Sequence, residues 1–139
     1  MSAAQPPHRL RILHIEPSLA DHAKARAALE LNGSDYAIER IETLAELSDR
    51  LDRQVCDVIV AAYHVNGFTA MDAWDIVLGA PGVQPPFIVL SDSAGEADAI
   101  DAIRRGVSDF VRKSALPDLP RDGPNLLRRV PFKQLLEAH

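Results

Sequence analysis

The chain has 139 residues, of which 47% are hydrophobic and 25% charged, as in a single globular domain. Its formal net charge of -5 argues against binding to nucleic acid or to an acidic membrane surface. The lone cysteine, Cys56, excludes an internal disulfide and a multi-cysteine metal site. No apolar run approaches the roughly 20 residues that span a bilayer, and no signal-peptide pattern is present, so we expect a cytoplasmic protein.

The first segment with a clear pattern is a short apolar run, LRILHI (10–15), which predicts a strand buried on both faces. Residues 1–8 before it are expected to be a disordered lead-in, and residues 9–139 to form one domain. Ser18 can cap a helix after this strand, and Gly33 can end it. Along that helix, apolar residues recur at every fourth position: Leu19, Ala23, Ala27 and Leu31.

The next segments predict an edge strand, a helix and a central strand. YAIERI (36–41) alternates apolar and polar residues, which is typical of a strand near a sheet edge. TLAELSDRL (43–51) opens with a threonine and a glutamate at the spacing of a capping box. DVIVAA (57–62) is β-branched and uncharged after its first residue, as expected for a strand buried on both faces.

The second half continues the alternation of helices and strands. FTAMDAWDIVLG (68–79) predicts a helix with one apolar stripe: Met71, Trp74 and Leu78. PFIVLS (86–91) predicts a buried strand, and EADAIDAIRRG (96–106) a helix. The inward residues of that helix are predicted as follows: Ala97, Ile100 and Ile103. SDFVRK (108–113) predicts a last strand, and prolines interrupt a last helix at about 117–139.

Five strand–helix units in succession predict an α/β fold with a doubly wound, five-stranded parallel sheet in the order 2-1-3-4-5, the flavodoxin-like (βα)5 arrangement. In such sheets, ligands bind beyond the carboxyl ends of the central strands. The loops after Ile15, Ala62 and Ser91 are therefore expected to converge.

Four segments in this order resemble the receiver domain of two-component response regulators, over about residues 9 to 130. They are ILHIEPS, CDVIVAAYHVNGFTAMDAW, PFIVLSDS and AIRRGVSDFVRKS. The resemblance implies the receiver fold, and a pocket in which an aspartate accepts a phosphoryl group beside a magnesium ion. It places the phosphoaccepting aspartate on Ala62 and the two acidic residues that help hold magnesium on Glu16 and Pro17. It also places the hydroxyl residue on Ser91 and the pocket lysine on Lys113.

Two of these five positions lack the chemistry that the family uses. The methyl group of Ala62 has no lone pair and cannot attack phosphorus. Magnesium prefers several carboxylate and water oxygens in octahedral array, and Pro17 supplies no carboxylate. We therefore predict a degenerate pocket with no catalytic residue, no cofactor and weak or absent magnesium binding. An ion pair between Lys113 and Glu16 would neutralise both charges across this pocket.

Substitutes for the missing aspartate are poorly placed in the sequence. Asp57 lies at the far end of its strand, about 16 Å away at ~3.3 Å per residue. Asp92 alternates away from the pocket. A metal site built from His14, Glu16 and His64 is imaginable, although a packed or solvent-touching histidine is the simpler interpretation.

The interpretation that fits best is a pseudo-receiver, a phosphorylation-independent protein-interaction module of bacterial two-component signal transduction, and not an enzyme. The partner would be a histidine kinase, another regulator or an output domain, and a homodimer is possible. The resemblance implies a switch aromatic at Phe110 and an interaction face that carries Arg104, Arg105, Asp109 and Val111. Two alternatives stay open: a small-molecule sensor, and a receiver phosphorylated at a non-standard residue.

Overall fold

A computed structural model describes residues 10–31, 36–53, 56–82, 84–91 and 96–111 of the chain. Three predictions lie outside the described residues: the disordered lead-in (1–8), the last helix (117–139) and Lys113. They stay predictions, as does the single domain over residues 9–139.

The described residues form seven strands and four helices. In chain order they are β1 (Leu10–Ile15), α1 (Leu19–Leu31), β2 (Tyr36–Ile41), α2 (Leu44–Arg53), β3 (Val58–Ala62), β4 (His64–Val65), β5 (Phe68–Thr69), α3 (Ala70–Gly79), β6 (Phe87–Leu90), α4 (Glu96–Arg104) and β7 (Asp109–Val111). None of these described helices is long and apolar enough to cross a bilayer.

Five strands form one parallel sheet in the order β2-β1-β3-β6-β7. Counted over the sheet strands alone, this is the predicted order 2-1-3-4-5. The sheet is therefore doubly wound, with the edge strand β2 beside β1 and the central strand β3 between β1 and β6. The predicted fold class is confirmed.

The core lies on both faces of the sheet, as the apolar strand sequences predicted. Successive side chains of a strand point to opposite faces, so neighbouring residues enter different clusters. One core cluster includes Leu13, Ile59 and Phe87. The other includes Ile12, Val58 and Ile88.

A short antiparallel hairpin, β4–β5, was not predicted. His64 pairs with Thr69 and Val65 with Phe68, and Gly67 makes the turn with a φ of 89°. The hairpin delays α3, which begins at Ala70 and not at residue 68. Thr69 caps the helix: its hydroxyl accepts the Met71 N–H at 3.2 Å.

Two of the helices, α1 and α2, are capped at their starts by the predicted residues. The Ser18 hydroxyl accepts the Asp21 N–H at 3.1 Å, and the Thr43 hydroxyl accepts the Glu46 N–H at 3.1 Å. Each bond satisfies one of the backbone donors that the first turn of a helix leaves open.

The predicted inward face of α4 is wrong, and the residues of the apolar repeat of α1 whose side chains the structure describes do not form its buried face. On α4, Ile100 and Ile103 are 46% and 48% exposed, whereas Ala102 is fully buried. On α1, Leu19 is 68% exposed and Ala25 is buried. The sheet-facing positions carry alanines, whose small side chains let the helix approach the strands closely, so apolar size did not indicate the buried face.

The stripe predicted for α3 is correct in two of its three positions. Met71 and Trp74 are buried, but Leu78 is 43% exposed and Val77 is buried in its place. A helix turns 100° per residue, so two apolar neighbours compete for one face, and packing selects between them.

Candidate functional site

The carboxyl ends of β1, β3 and β6 bring three of the predicted pocket residues to one edge of the sheet. Ile15 pairs with Ala61, and Ala62 pairs with Leu90, so Glu16, Ala62 and Ser91 stand at the ends of adjacent strands. All three are buried, with 1%, 1% and 5% of their surface exposed. The strand ends from which the three loops were predicted to converge are therefore adjacent, and the loop after Ser91 lies outside the described residues.

Glu16 is fixed by bonds from three directions. Its N–H donates to the Ile41 carbonyl at 3.0 Å, which ties the end of β1 to the end of β2. Its own carbonyl accepts from Arg40 Nη1 at 3.0 Å. Its carboxylate Oε2 accepts the Ser18 N–H at 3.2 Å. Oε2 of Glu16 thus accepts a hydrogen bond from the residue just before the first residue of α1.

The three strand ends and Pro17 offer a single carboxylate. Ala62 presents a methyl group and Pro17, which is half-buried, a pyrrolidine ring. Ser91 adds a hydroxyl group. This donor set does not fit magnesium, which takes oxygen ligands in near-octahedral geometry and is usually bound by carboxylates together with water.

A buried histidine lies next to Glu16. The His14 ring is 1% exposed, and its Nε2 is 4.0 Å from Oε1 of Glu16. Its Nδ1 is 3.0 Å from Nδ1 of His22 on α1, so one of these two nitrogens carries the proton of a hydrogen bond. Burial, then the charges of Arg40 and Arg26, lower the pKa of His22.

The sequence analysis missed this histidine pair. The apolar run predicts a buried strand at His14, but no sequence pattern indicates that His22, in a helix eight residues later, packs against it. A histidine within a strand predicted to be buried on both faces was the available signal, because a buried imidazole needs a hydrogen-bond partner.

Tyr63, which follows β3, contacts both β6 and the edge strand β7. Its N–H donates to the Leu90 carbonyl at 2.8 Å, and its ring centroid is 5.9 Å from that of Phe110 on β7. Burial, followed by the carboxylate of Asp98 on α4, raises the pKa of the Tyr63 phenol. Phe110, the predicted switch aromatic, packs half-buried against the core.

Asp57, one of the substitutes considered for the missing aspartate, does not enter the pocket. Asp57 precedes β3, at the opposite end of that strand from Ala62. Its carboxylate accepts from the Arg11 N–H at 2.9 Å and from both Nε and Nη2 of Arg11 at 3.2 Å. His64 is exposed on the hairpin. Within the described residues, no group of three or more His, Cys, Asp or Glu side chains could hold a metal ion.

One further residue considered above, Asp92, also falls outside what the structure describes. Asp92 and Lys113 are not among the described residues, so the Lys113–Glu16 ion pair stays a prediction.

The residues of the predicted interaction face do not all lie on one surface: Arg104 and Asp109 line a groove, and Arg105 does not. A groove of about 420 Å³ lies between α4 and β7, lined by Ala99, Ile100, Ile103, Arg104, Asp109 and Phe110. Arg105 turns away from it, toward α3, where its guanidinium pairs with Asp75. The Val111 side chain lies outside the described part of the chain. The small-molecule alternative predicted a cleft at the strand ends, whereas this groove lies beside α4.

The chain is similar to known proteins in its structure, whereas comparisons of its sequence find no match. No protein-family model and no curated protein matches the chain. Among solved structures, the signal receiver domain of a protein described as a LuxO repressor, from Vibrio parahaemolyticus, matches with a TM-score of 0.76 and 20% identity, over 95% of this chain and 100% of that one.

Two other matches carry the same fold. The phosphorylated cyanobacterial phytochrome response regulator RcpA matches with a TM-score of 0.71 and 19% identity, over 86% of this chain and 92% of that one. The response regulator domain of Thermotoga maritima CheB matches with a TM-score of 0.71 and 17% identity, over 94% of this chain and 98% of that one.

Proposed function

The chain has the fold of response regulator receiver domains, and from this premise we propose that it is a pseudo-receiver, a protein-interaction module of two-component signal transduction that works without phosphorylation. It is not an enzyme, takes no cofactor and binds magnesium weakly or not at all. Its partner is a histidine kinase, another regulator or an output domain.

The observation that carries the proposal is the methyl group of Ala62. It is buried at the end of the central strand, where the resemblance places the phosphoaccepting aspartate. Acyl phosphate formation needs a carboxylate oxygen as the nucleophile, and a methyl group cannot replace it. Glu16, at the end of the adjacent strand, is buried and uses one carboxylate oxygen to accept the Ser18 N–H.

If the domain is never phosphorylated, no phosphoryl group is present to favour one of its conformations over another. The Tyr63–Phe110 contact and the bonds around Glu16 support a single resting arrangement of the strand ends. Signalling would then depend on which partner is bound, and the groove between α4 and β7 is the surface on which that partner would act.

The test is direct exposure to phosphoryl donors. The chain is incubated with acetyl phosphate and magnesium, and separately with beryllofluoride and magnesium, and its intact mass and backbone amide shifts are recorded. We expect no stoichiometric adduct and no shift change at the ends of β1, β3 and β6. A receiver domain with an intact aspartate shows in parallel that the donors are active. A stoichiometric phosphoryl adduct on this chain would refute the proposal.

A further inference from the structure

The outer edge of the sheet at β2 is long and regular. β2 has six residues, pairs with β1 in an unbroken register from Tyr36 to Ile41, and contains neither proline nor glycine. Within the described residues, no further strand pairs with its other side. Natural proteins usually protect an edge strand from further pairing by short length, proline, bulges or charged side chains. Of these devices β2 has only two neighbouring charges, Glu39 and Arg40.

Both charged side chains of β2 are held by their own chain. The Glu39 carboxylate accepts from Nε and Nη2 of Arg50 on α2, at 3.0 Å and 2.8 Å. Arg40 Nη1 donates to the Glu16 carbonyl at 3.0 Å and to the Glu42 carboxylate at 3.2 Å. Because each charge is compensated within the chain, it opposes the approach of another strand only weakly.

The backbone groups of Ile38 and Arg40 point away from β1. The Ile41 carbonyl accepts the Glu16 N–H, so Ile41 faces β1, and successive residues of a parallel strand face alternate sides. Ile38 and Arg40 therefore direct their N–H and C=O groups toward the outer edge. The Ile38 side chain is half-buried against the core, and a strand added at this edge would cover more of it.

A second copy of β2 fits this edge best in one antiparallel register. Opposite residues must both face the edge, so Ile38 can lie opposite Tyr36, Ile38 or Arg40 of the second copy. The Arg40 choice also places Glu39 opposite Glu39, and like charges directly opposite each other are destabilising. The Tyr36 choice leaves the shortest overlap of the two strands. With Ile38 opposite Ile38, an apolar contact forms at the centre and Tyr36 lies opposite Arg40, as suits a cation–π contact.

We propose that two copies of the chain pair their β2 strands antiparallel about a twofold axis at Ile38, which joins two five-stranded sheets into one continuous sheet. Such an interface uses the same residues on both copies. It lies at the opposite edge of the sheet from β7 and therefore goes beyond the proposed function. One pair of strands is a small interface, so we expect a weak dimer with a dissociation constant on the order of 0.1 mM.

The test uses the full chain. Analytical ultracentrifugation over concentrations that span this dissociation constant should show the mass rise from monomer to dimer. In a mixture of isotope-labelled and unlabelled chain, the Hα atoms of Ala37 and Glu39 on different copies should give an NOE, because these residues form a close pair without hydrogen bonds in this register. A mass that stays monomeric over the whole range would overturn the proposal.

Two charge variants test the twofold axis. Ile38→Lys and Ile38→Glu each place like charges opposite each other, so each should be monomeric alone, whereas their equimolar mixture should dimerise through a lysine–glutamate pair. Amide spectra check that both variants fold. The matched control is Ile103→Lys on α4, at a position 48% exposed, which should leave the mass unchanged. Dimers that survive Ile38→Lys, or a mixture that stays monomeric, would overturn the proposal.

Two other arrangements are recognised in the same samples. A dimer that Ile103→Lys abolishes would have its interface on α4 and not on β2. A monomer in which the Ile38 amide already exchanges slowly with solvent at low concentration would show that another part of the same chain covers this edge. Either result would overturn the proposal, and neither would bear on phosphorylation, which the adduct experiment tests independently.

Discussion

Restoring the two missing carboxylates should convert the degenerate pocket into a magnesium site at a cost in stability. In the variant Ala62→Asp/Pro17→Asp, the first substitution places a carboxylate at a position that is 1% exposed, on the strand next to Glu16. Burying an ion costs several kcal/mol, and the neighbouring carboxylate adds repulsion. Without magnesium we expect the free energy of unfolding to fall by about 2–4 kcal/mol.

Magnesium should return much of this loss. A ligand that binds only the folded state at 100 times its dissociation constant stabilises it by about 2.7 kcal/mol. Unfolding in urea can be followed through the fluorescence of Trp74, the single tryptophan, which is 4% exposed. The measurement compares magnesium chloride with sodium chloride at equal ionic strength.

The matched control is Ala61→Asp, which puts the same carboxylate at a fully buried position one residue earlier, where it should destabilise without a response to magnesium. The natural chain should also show no magnesium response. If magnesium stabilises the double variant no more than Ala61→Asp, then the strand ends do not form the receiver pocket that the resemblance implies, and the reasoning is refuted.

Three further predictions concern the described residues elsewhere. Gly106→Ala should lower the free energy of unfolding by about 1–2 kcal/mol, because Gly106 has a φ of 101° and an added Cβ would lie 3.4 Å from the Trp74 ring. Burial raises the pKa of the Cys56 thiol to about 11, so Ellman's reagent should modify it slowly at about pH 8 and faster at higher pH. The lowered pKa of His22 means that, as the pH falls, the unfolded chain binds a proton at this histidine before the folded chain does, so the stability that His22 contributes should be constant above about pH 6.5 and should decrease as the pH falls below it.

Each of these has a control in the same assay. Gly79→Ala, where an added Cβ meets nothing within 4 Å, should not destabilise the chain. Thiol modification as fast as that of the urea-unfolded chain would contradict the burial of Cys56. His22→Gln should reduce the loss of unfolding free energy as the pH falls below about 6.5. If the loss is unchanged in this variant, it comes from other titrating groups.

The order of strands and helices was predictable because its signals are local. Apolar runs marked β1, β3 and β6 and an alternating pattern marked β2, while Ser18 and Thr43 marked helix starts through bonds to residues three positions away. Once strands and helices alternate, the handedness of the crossovers leaves few sheet orders. That the central strand ends in the methyl group of Ala62 was likewise predictable, since it depends only on which residue ends the apolar run.

The tertiary structure decided which side chains meet. Apolar periodicity indicates that a helix is amphipathic, but not whether Ala102 or Ile103 faces the sheet, because that depends on how closely the helix packs. The pairing of His14 with His22, and the buried Oδ2 of Asp109, depend on contacts between separate elements. The sequence by itself therefore determined the order of strands and helices and the methyl group of Ala62 at the end of the central strand, whereas packing between distant segments decided which helix residues are buried and which face solvent.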